Sequence, residues 1–249
     1  MKLSILYRGP LSSCNYDCPY CPFAKHQESA DELKTDREAL ERFLDWVEGQ
    51  TDYEISVLFT PWGEALIRRW YQDALVRLTN QAHVQKAAIQ TNLSCSLNWV
   101  EKCDKERLAL WTTYHPGEVP RERFLKKCRE LDERGVRYSV GVVGLKEHST
   151  EIRRLREELA SSVYLWINAY KRESDYYSEG DVAFFESIDP LFRHNSIYHA
   201  SFGRSCRTGE SVISVDGDGT IRRCHFIKEP LGNLYEDDLA EILRPRNCT

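Results

Sequence analysis

Three cysteines near the start of the chain have a spacing that could hold a reactive metal centre. Cys14, Cys18 and Cys21 lie in the run SSCNYDCPYCPF, separated by three residues and then by two. A closed structural zinc site usually has four protein ligands, and iron–sulfur clusters are also usually held by four cysteines. Three thiolates leave one metal position open, which favours a centre that binds a cofactor or a substrate. Two alternatives stay open: a zinc site completed by a distant residue such as His26, and thiols with a structural role.

The composition predicts a folded enzyme in a reducing compartment. The 249 residues are 41% hydrophobic and 29% charged, and no apolar run approaches the roughly 18 residues of a membrane span. The nine cysteines are an odd number in a long chain with no recognisable secretory signal, so metal ligation suits them better than disulfides. The net charge of -5 argues against nucleic acid as a general partner. We expect a soluble, cytoplasmic protein with no membrane partner.

Short apolar runs alternate with amphipathic helical patterns, which predicts repeated βα units around a parallel sheet. The six predicted strands are residues 3–7, 55–60, 87–92, 108–113, 138–143 and 163–169. Thr35 and Glu38 have the spacing of a capping box ahead of a first helix. A later helix, residues 120–134, is expected to end at Gly135 and to bury Cys128. Cys95 and Cys103 are interpreted as buried thiols.

The cysteine spacing, with the aromatic Tyr20 just before the last cysteine, resembles the signature of the radical SAM superfamily. The resemblance implies that Cys14, Cys18 and Cys21 hold a 4Fe-4S cluster whose remaining iron binds S-adenosylmethionine (SAM), with Tyr20 against the adenine. One electron from the cluster would cleave SAM and release a 5′-deoxyadenosyl radical that abstracts a hydrogen atom from a substrate. The implied fold class is α/β, a partial (β/α)6 TIM-like barrel whose active site lies at the carboxyl ends of the strands.

Gly63 and Glu64 follow the second predicted strand and resemble the family's Gly-Gly-Glu-Pro segment, which contacts the SAM amino group. Glycine allows a close backbone approach, and a carboxylate suits an ammonium group. The first glycine of the family pattern is Trp62 here, and its proline is Ala65. The match is therefore to half of the pattern.

Four later strand ends supply further cofactor-binding candidates by the same resemblance. Asn92 would lie near the methionyl end of SAM, and Thr112 near the ribose or the SAM carboxylate. Val142 would lie beneath the adenine, and Asn168 would contact the adenine or the substrate. His115 and Asn168 are the candidate catalytic residues. Loop capping for Asn92 and a structural role for His115 stay open as alternatives.

A second cysteine group in the last third of the chain resembles the auxiliary-cluster domain called SPASM, or its shorter form, twitch. Cys206, Gly219 and Cys224 match its spacing, and Cys248 follows near the end. Residues 211–215 and 220–223 are predicted to form a glycine-rich hairpin, followed by a helix over 237–243. We expect the barrel to cover residues 1–195 and the auxiliary region to cover 196–249. The fourth ligand of a second iron–sulfur cluster could be a residue beyond the sequence given, His225, solvent or the substrate; alternatively, no second cluster forms and the thiols are buried.

The resemblance implies a radical SAM oxidoreductase or modifying enzyme that takes its electrons from a donor such as flavodoxin or ferredoxin. A ribosomally made peptide is the first expectation for the substrate, although no leader-binding domain is recognisable. A small molecule is the alternative. Two other classes stay open: a non-enzymatic iron–sulfur or zinc protein, and an activating enzyme that plants a glycyl radical on a partner.

Overall fold

A computed structural model of the protein describes residues 1–23 and 27–249, so the alternative zinc ligand His26 lies outside the described residues. The strands are β1 Lys2–Arg8, β2 Glu54–Phe59, β3 Val84–Thr91, β4 Leu108–Tyr114, β5 Arg137–Val143, β6 Leu165–Asn168, β7 Ser205–Cys206, β8 Val212–Asp216, β9 Thr220–Arg222, β10 Pro230–Asn233 and β11 Arg246–Asn247. The helices are α1 Ala30–Gly49, α2 Arg69–Thr79, α3 Arg121–Glu133, α4 Ser149–Glu158, α5 Glu179–Glu186, α6 Phe192–Ser196 and α7 Leu239–Ile242.

The predicted fold class is confirmed: the chain is mixed α/β, and nine of its strands pair mostly in parallel. Each of the six predicted strands is present, with its ends shifted by a few residues at most. Within the described ranges, no helix is long and apolar enough to cross a membrane.

One compact unit consists of Met1–Gln90, Ser94–Ala109 and Ser201–Thr249. Its strands lie in the order β10-β9-β8-β1-β2-β3. Strand β1 is parallel to both of its neighbours, with Ile5 opposite Val57 of β2 and Ile213 of β8. The C-terminal hairpin of β8 and β9 therefore extends the sheet beside β1, a pairing that the sequence did not predict. The boundary at residues 195 and 196 stays a prediction.

Aromatic rings fill the core of this unit between the sheet and the first two helices. Tyr7 of β1 stacks on Phe43 of α1 with ring centroids 4.3 Å apart, and Phe59 of β2 meets Tyr71 of α2 edge-on at 5.9 Å. All four side chains are buried. Aromatic pairs in these geometries add to the stabilisation gained from burial itself. These contacts therefore fix the carboxyl ends of β1 and β2 against α1 and α2.

The first helix begins earlier than the capping pattern of Thr35 and Glu38 predicted, so that prediction is wrong. Ser29 is the N-cap: its hydroxyl accepts from the Glu32 N–H at 3.3 Å, and the Glu32 carboxylate accepts from the Ser29 N–H at 2.7 Å. The Thr35 hydroxyl instead donates to the Asp31 carbonyl inside the helix at 3.0 Å. The same Ser-x-x-Glu type of box occurs six residues upstream, and the longer helix satisfies more backbone groups.

The second unit consists of Thr91–Leu93 and Leu110–Ala200. It contains β4, β5 and β6 with helices α3 to α6, and β5 is parallel to β6. Helix α3 ends before Gly135, whose φ of +67° is the left-handed conformation expected of a helix terminator. Cys128 is buried in α3, as predicted, and Cys95 and Cys103 of the first unit are buried as well.

Candidate active site

The three N-terminal cysteines lie in the loop that leaves the carboxyl end of β1. Cys18 is buried, whereas Cys14, Cys21 and the aromatic Tyr20 are half-buried. The Cys21 N–H donates to the Cys18 carbonyl at 3.0 Å, and the Tyr16 N–H donates to Cys14 Sγ at 3.4 Å. The loop therefore turns back on itself between the second and third cysteines.

The cysteine loop offers three thiols, and thiolates are the usual ligands of iron–sulfur clusters. Across residues 1–23 and 27–249, no three His, Cys, Asp or Glu side chains are grouped closely enough to hold a single metal ion. Burial raises the pKa of Cys14, with Glu64 and Cys21 adding to the rise and the Tyr16 N–H opposing it. Metal binding at this thiol must therefore release a proton.

A buried carboxylate, Glu28, holds the start of the cysteine loop. It accepts hydrogen bonds from the backbone N–H groups of Ser12 and Ser13, at 3.0 Å for Ser13, and from the Ser13 hydroxyl. Arg68 lies 4.0 Å from this carboxylate and donates to Ser13 Oγ at 3.2 Å. Because several donors converge on one buried charge, the residues before Cys14 are fixed in place. Glu28 is not among the site residues predicted from the sequence, because no local pattern distinguishes it from a surface glutamate.

Asp36 of α1 also holds the start of the cysteine loop. Its carboxylate accepts from the Leu11 N–H at 3.2 Å, from Trp70 Nε1 at 2.8 Å and from the Tyr71 hydroxyl at 2.8 Å. Burial raises the pKa of Asp36, and the hydrogen bonds from Trp70 and Tyr71 oppose that rise. One signal for Asp36 was present in the sequence, because it lies on the apolar stripe of α1, four residues before the buried Leu40.

Gly63 and Glu64 meet the cysteine loop directly. The Trp62 N–H donates to the Leu11 carbonyl at 3.3 Å, and the Glu64 N–H donates to the Ser13 carbonyl at 3.0 Å. A Cβ at Gly63 would overlap the carbonyl carbon and oxygen of Ser13. Glycine is therefore required here because two backbone segments touch. The Glu64 side chain is buried, and one of its oxygens accepts from the Leu66 N–H at 3.0 Å.

Trp62, which departs from the family pattern, contacts both Arg8 and Phe23 beside the cysteine loop. The Arg8 guanidinium lies 4.0 Å from the Trp62 ring centroid, and the Phe23 ring lies 4.6 Å from it. Arg8 Nε also donates to the Thr60 carbonyl at 3.0 Å. A cation over an indole ring is attracted by the electrons of the ring face. The side chain of Trp62 therefore joins the ends of β1 and β2 to the residues just after Cys21.

The C-terminal cysteines lie in the same unit, and the predicted hairpin is present. Cys206 of β7 is opposite Arg246 of β11, so Cys248, two residues further on, is on the same face of this ribbon. Cys224 lies two residues after the end of β9 and is half-buried. A hydrogen bond with the Thr208 hydroxyl at 3.0 Å lowers the pKa of Cys206, and the charge of Arg223 lowers it further.

His225 connects the C-terminal hairpin to the end of β2. Its Nε2 lies 3.3 Å from the Thr60 hydroxyl. Burial and the charges of Arg8 and Arg222 lower the pKa of His225 to about 4. The imidazole is therefore neutral at pH 7, the state in which histidine binds metals. The hydrogen bond also joins the residue after Cys224 to the segment that carries Gly63.

The remaining candidate residues belong to the second unit. Thr112 is fully buried, and its hydroxyl donates to the Ser139 carbonyl at 2.8 Å. Val142 and Asn92 are also buried, whereas Asn168 is exposed at the end of β6. His115 is half-buried, and burial lowers its pKa to about 4. The roles assigned to these residues toward SAM or the substrate stay predictions.

The fold of the chain is similar to that of solved structures, whereas its sequence matches no known relative. No family model and no curated protein sequence matches the chain. Among solved structures, the chain is similar to anSMEcpe, an anaerobic sulfatase-maturating radical SAM enzyme, with bound AdoMet: the TM-score is 0.62 at 15% identity, covering 98% of this chain and 80% of that one. For anSMEcpe with AdoMet and the Cp18Cys peptide, the TM-score is 0.62 at 16% identity, covering 96% and 80%. The chain therefore has the fold seen in a structure of a radical SAM enzyme.

Proposed function

We propose that this protein is a radical SAM enzyme, with Cys14, Cys18 and Cys21 as the ligands of a 4Fe-4S cluster that binds SAM. The observation that carries the proposal is the cysteine loop itself. It leaves the carboxyl end of β1 and is bonded through Ser13 to the Gly63–Glu64 segment after β2. In parallel α/β sheets, the carboxyl ends of the strands are where active sites lie. A cluster held by these three cysteines would supply the electron for reductive cleavage of SAM, the chemistry by which this class of enzyme takes a hydrogen atom from its substrate.

In this proposal, the chain's own residues fix and orient the cofactors. Glu28 and Arg68 hold the start of the loop, and Gly63 permits the close approach of the next segment. Glu64 is the proposed partner of the SAM ammonium group, because a buried carboxylate is stabilised by a nearby cation. We also retain the other SAM contacts inferred from the sequence: Tyr20, Asn92, Thr112, Val142 and Asn168. His115 and Asn168 remain the candidates for proton handling near the substrate.

For the substrate, we propose a peptide. Support comes from the anSMEcpe structures that share this fold, two of which contain AdoMet with a bound peptide, Cp18Cys or Kp18Cys. A small molecule is the alternative substrate class. The electron donor would be a flavodoxin or a ferredoxin.

We also propose that Cys206, Cys224 and Cys248 hold a second iron–sulfur cluster. Cys206 and Cys248 are on one face of the β7–β11 ribbon, and Cys224 follows the adjoining hairpin. The pKa of Cys206 is lowered from its ordinary value, which favours the thiolate, the form that binds iron. His225 is a candidate for the fourth ligand because its imidazole is neutral.

Formation of 5′-deoxyadenosine from SAM tests the main proposal. The protein is reconstituted with iron and sulfide without oxygen, reduced chemically and incubated with SAM. We expect 5′-deoxyadenosine from the wild type and from Cys128→Ala, which alters a buried thiol of α3, but none from Cys18→Ala. A wild-type sample with a 4Fe-4S spectrum that leaves SAM intact would favour the non-enzymatic iron–sulfur protein instead.

A further inference from the structure

Arg223 is a buried cation with no ion-pair partner among the residues that the structure describes. Arg223 directly precedes Cys224 in the chain, and it is only 6% exposed. Nη1 donates to the Thr249 hydroxyl at 3.2 Å, whereas Nε is buried and bonds to nothing in the part of the chain that the structure describes. None of the ion pairs formed by the described residues includes Arg223; the adjacent ion pair joins Arg222 to Asp216. Burying an unpaired charge is costly, so such a group normally has an anion beside it.

Arg223 lies beside the segments that carry the three C-terminal cysteines. Cys224 is the next residue in the chain, and a Cβ added at Gly209 would lie 3.2 Å from Arg223 Cγ and 3.1 Å from Nη1 of Arg246, the residue opposite Cys206. Thr249, which accepts the hydrogen bond, directly follows Cys248. The unpaired charge therefore lies where three thiolates would bring negative charge together.

Neighbouring arginines differ from Arg223 because their nitrogens already have partners. Arg222 forms an ion pair with Asp216 and donates to the Lys228 carbonyl at 3.1 Å. Arg246 donates to the carbonyls of three residues, Gly209, Arg244 and Ile242. These two arginines are satisfied by the protein itself, whereas the Arg223 Nε–H is left for another acceptor.

We propose that Arg223 is the counter-ion of an anionic iron–sulfur centre held by Cys206, Cys224 and Cys248, with its Nε–H donating to a sulfur of that centre. This inference rests on the second cluster of the proposed function. A positive charge and an N–H···S hydrogen bond both favour the reduced, more negative state of a cluster. Arg223 is thus a positioning residue that raises the reduction potential of the C-terminal centre.

The test uses a full-length parent variant in which Cys14, Cys18 and Cys21 are all replaced by Ala, so that bound iron reports the C-terminal centre. Arg223→Gln, Arg223→Lys and the control Arg244→Gln, at an exposed arginine of the same region, are made in this parent. Iron and sulfide per chain and the midpoint potential are measured after anaerobic reconstitution. We expect Arg223→Gln to lower the midpoint potential and to lose part of the iron, Arg223→Lys to shift the potential less, and Arg244→Gln to match the parent.

The outcomes separate this inference from the function on which it rests. A parent that binds no iron would overturn both the second cluster and the role of Arg223, while 5′-deoxyadenosine formation by the wild type would still support the radical SAM proposal. A parent with a cluster whose iron content and potential are unchanged in Arg223→Gln would overturn the role of Arg223 alone. If circular dichroism shows that Arg223→Gln does not fold, Arg223→Lys decides, because lysine lacks the Nε–H and an unchanged potential would refute the hydrogen bond.

Discussion

Replacing Gly63 with Ala should separate the cysteine loop from the segment after β2. The added methyl group would overlap the carbonyl carbon and oxygen of Ser13 and stand 3.1 Å from the Ser13 nitrogen. All three atoms belong to the backbone, so no flexible side chain can move aside. The loop must shift, and the hydrogen bond from the Glu64 N–H to the Ser13 carbonyl, 3.0 Å long, is then strained or broken.

The size of the effect follows from these two losses. Overpacking a well-packed site costs about 1–3 kcal/mol, and a clash with backbone belongs at the upper end of that range. A lost backbone hydrogen bond adds about 1 kcal/mol. We therefore expect Gly63→Ala to lower the free energy of unfolding by about 3–4 kcal/mol. For a chain of this size, that corresponds to a fall in Tm of about 6–16 °C.

Thermal unfolding followed by circular dichroism measures the loss directly in protein without iron. Gly49→Ala is the matched control, because a Cβ at Gly49 of α1 meets nothing within 4 Å. We expect the control to keep the wild-type Tm or to raise it slightly, because alanine favours a helix more than glycine does. Iron binding after anaerobic reconstitution is the second readout, and Gly63→Ala should bind less iron than the control. A Gly63→Ala protein with the wild-type Tm and iron content would refute the close contact between the two segments.

Three further predictions concern polar groups that are buried or half-buried. Glu28→Gln removes the charge that holds Ser12 and Ser13, so we expect a loss of about 2–3 kcal/mol in urea unfolding and less bound iron. Asp36→Asn places an amide donor against other donors, so we expect a loss of about 2–4 kcal/mol in the same assay. Burial lowers the pKa of His115 from 6.5 to about 4, so between these pH values the unfolded chain binds a proton that the folded chain does not. Stability should fall as the pH falls from 6.5 to 4, and His115→Gln should flatten that part of the pH profile.

Each of these variants has a control with the same substitution at an exposed position. If a variant and its control lose the same free energy of unfolding, the corresponding prediction is contradicted. The predicted loss is attributed to the buried position and not to the change of side chain itself. For the histidine, the comparison is made between the slopes of stability against pH. The controls are Glu38→Gln, Asp73→Asn and His199→Gln.

Local patterns in the sequence predicted most of the elements, because those patterns are set by neighbours along the chain. The apolar runs gave the six strands, the stripe of α3 gave a helix that ends before Gly135, and the glycine-rich segment gave the β8–β9 hairpin. The capping pattern at Thr35 was misleading because the same kind of box recurs at Ser29, and a local rule does not rank the two.

The sequence by itself determined the chemistry available to this protein: three thiols at a particular spacing, a Gly-Glu pair after the second strand and a second group of thiols near the end. Only the tertiary structure decided what holds them. The pairing of β8 with β1, the contact of Gly63 with Ser13 and the convergence of donors on Glu28 join residues far apart in the chain. Such contacts depend on how the backbone packs in three dimensions, and burial turns an ordinary glutamate or arginine into a group that must have a partner. The sequence therefore determines which reactive residues are present. The packing of the backbone determines which charged side chains are buried and which groups they bond.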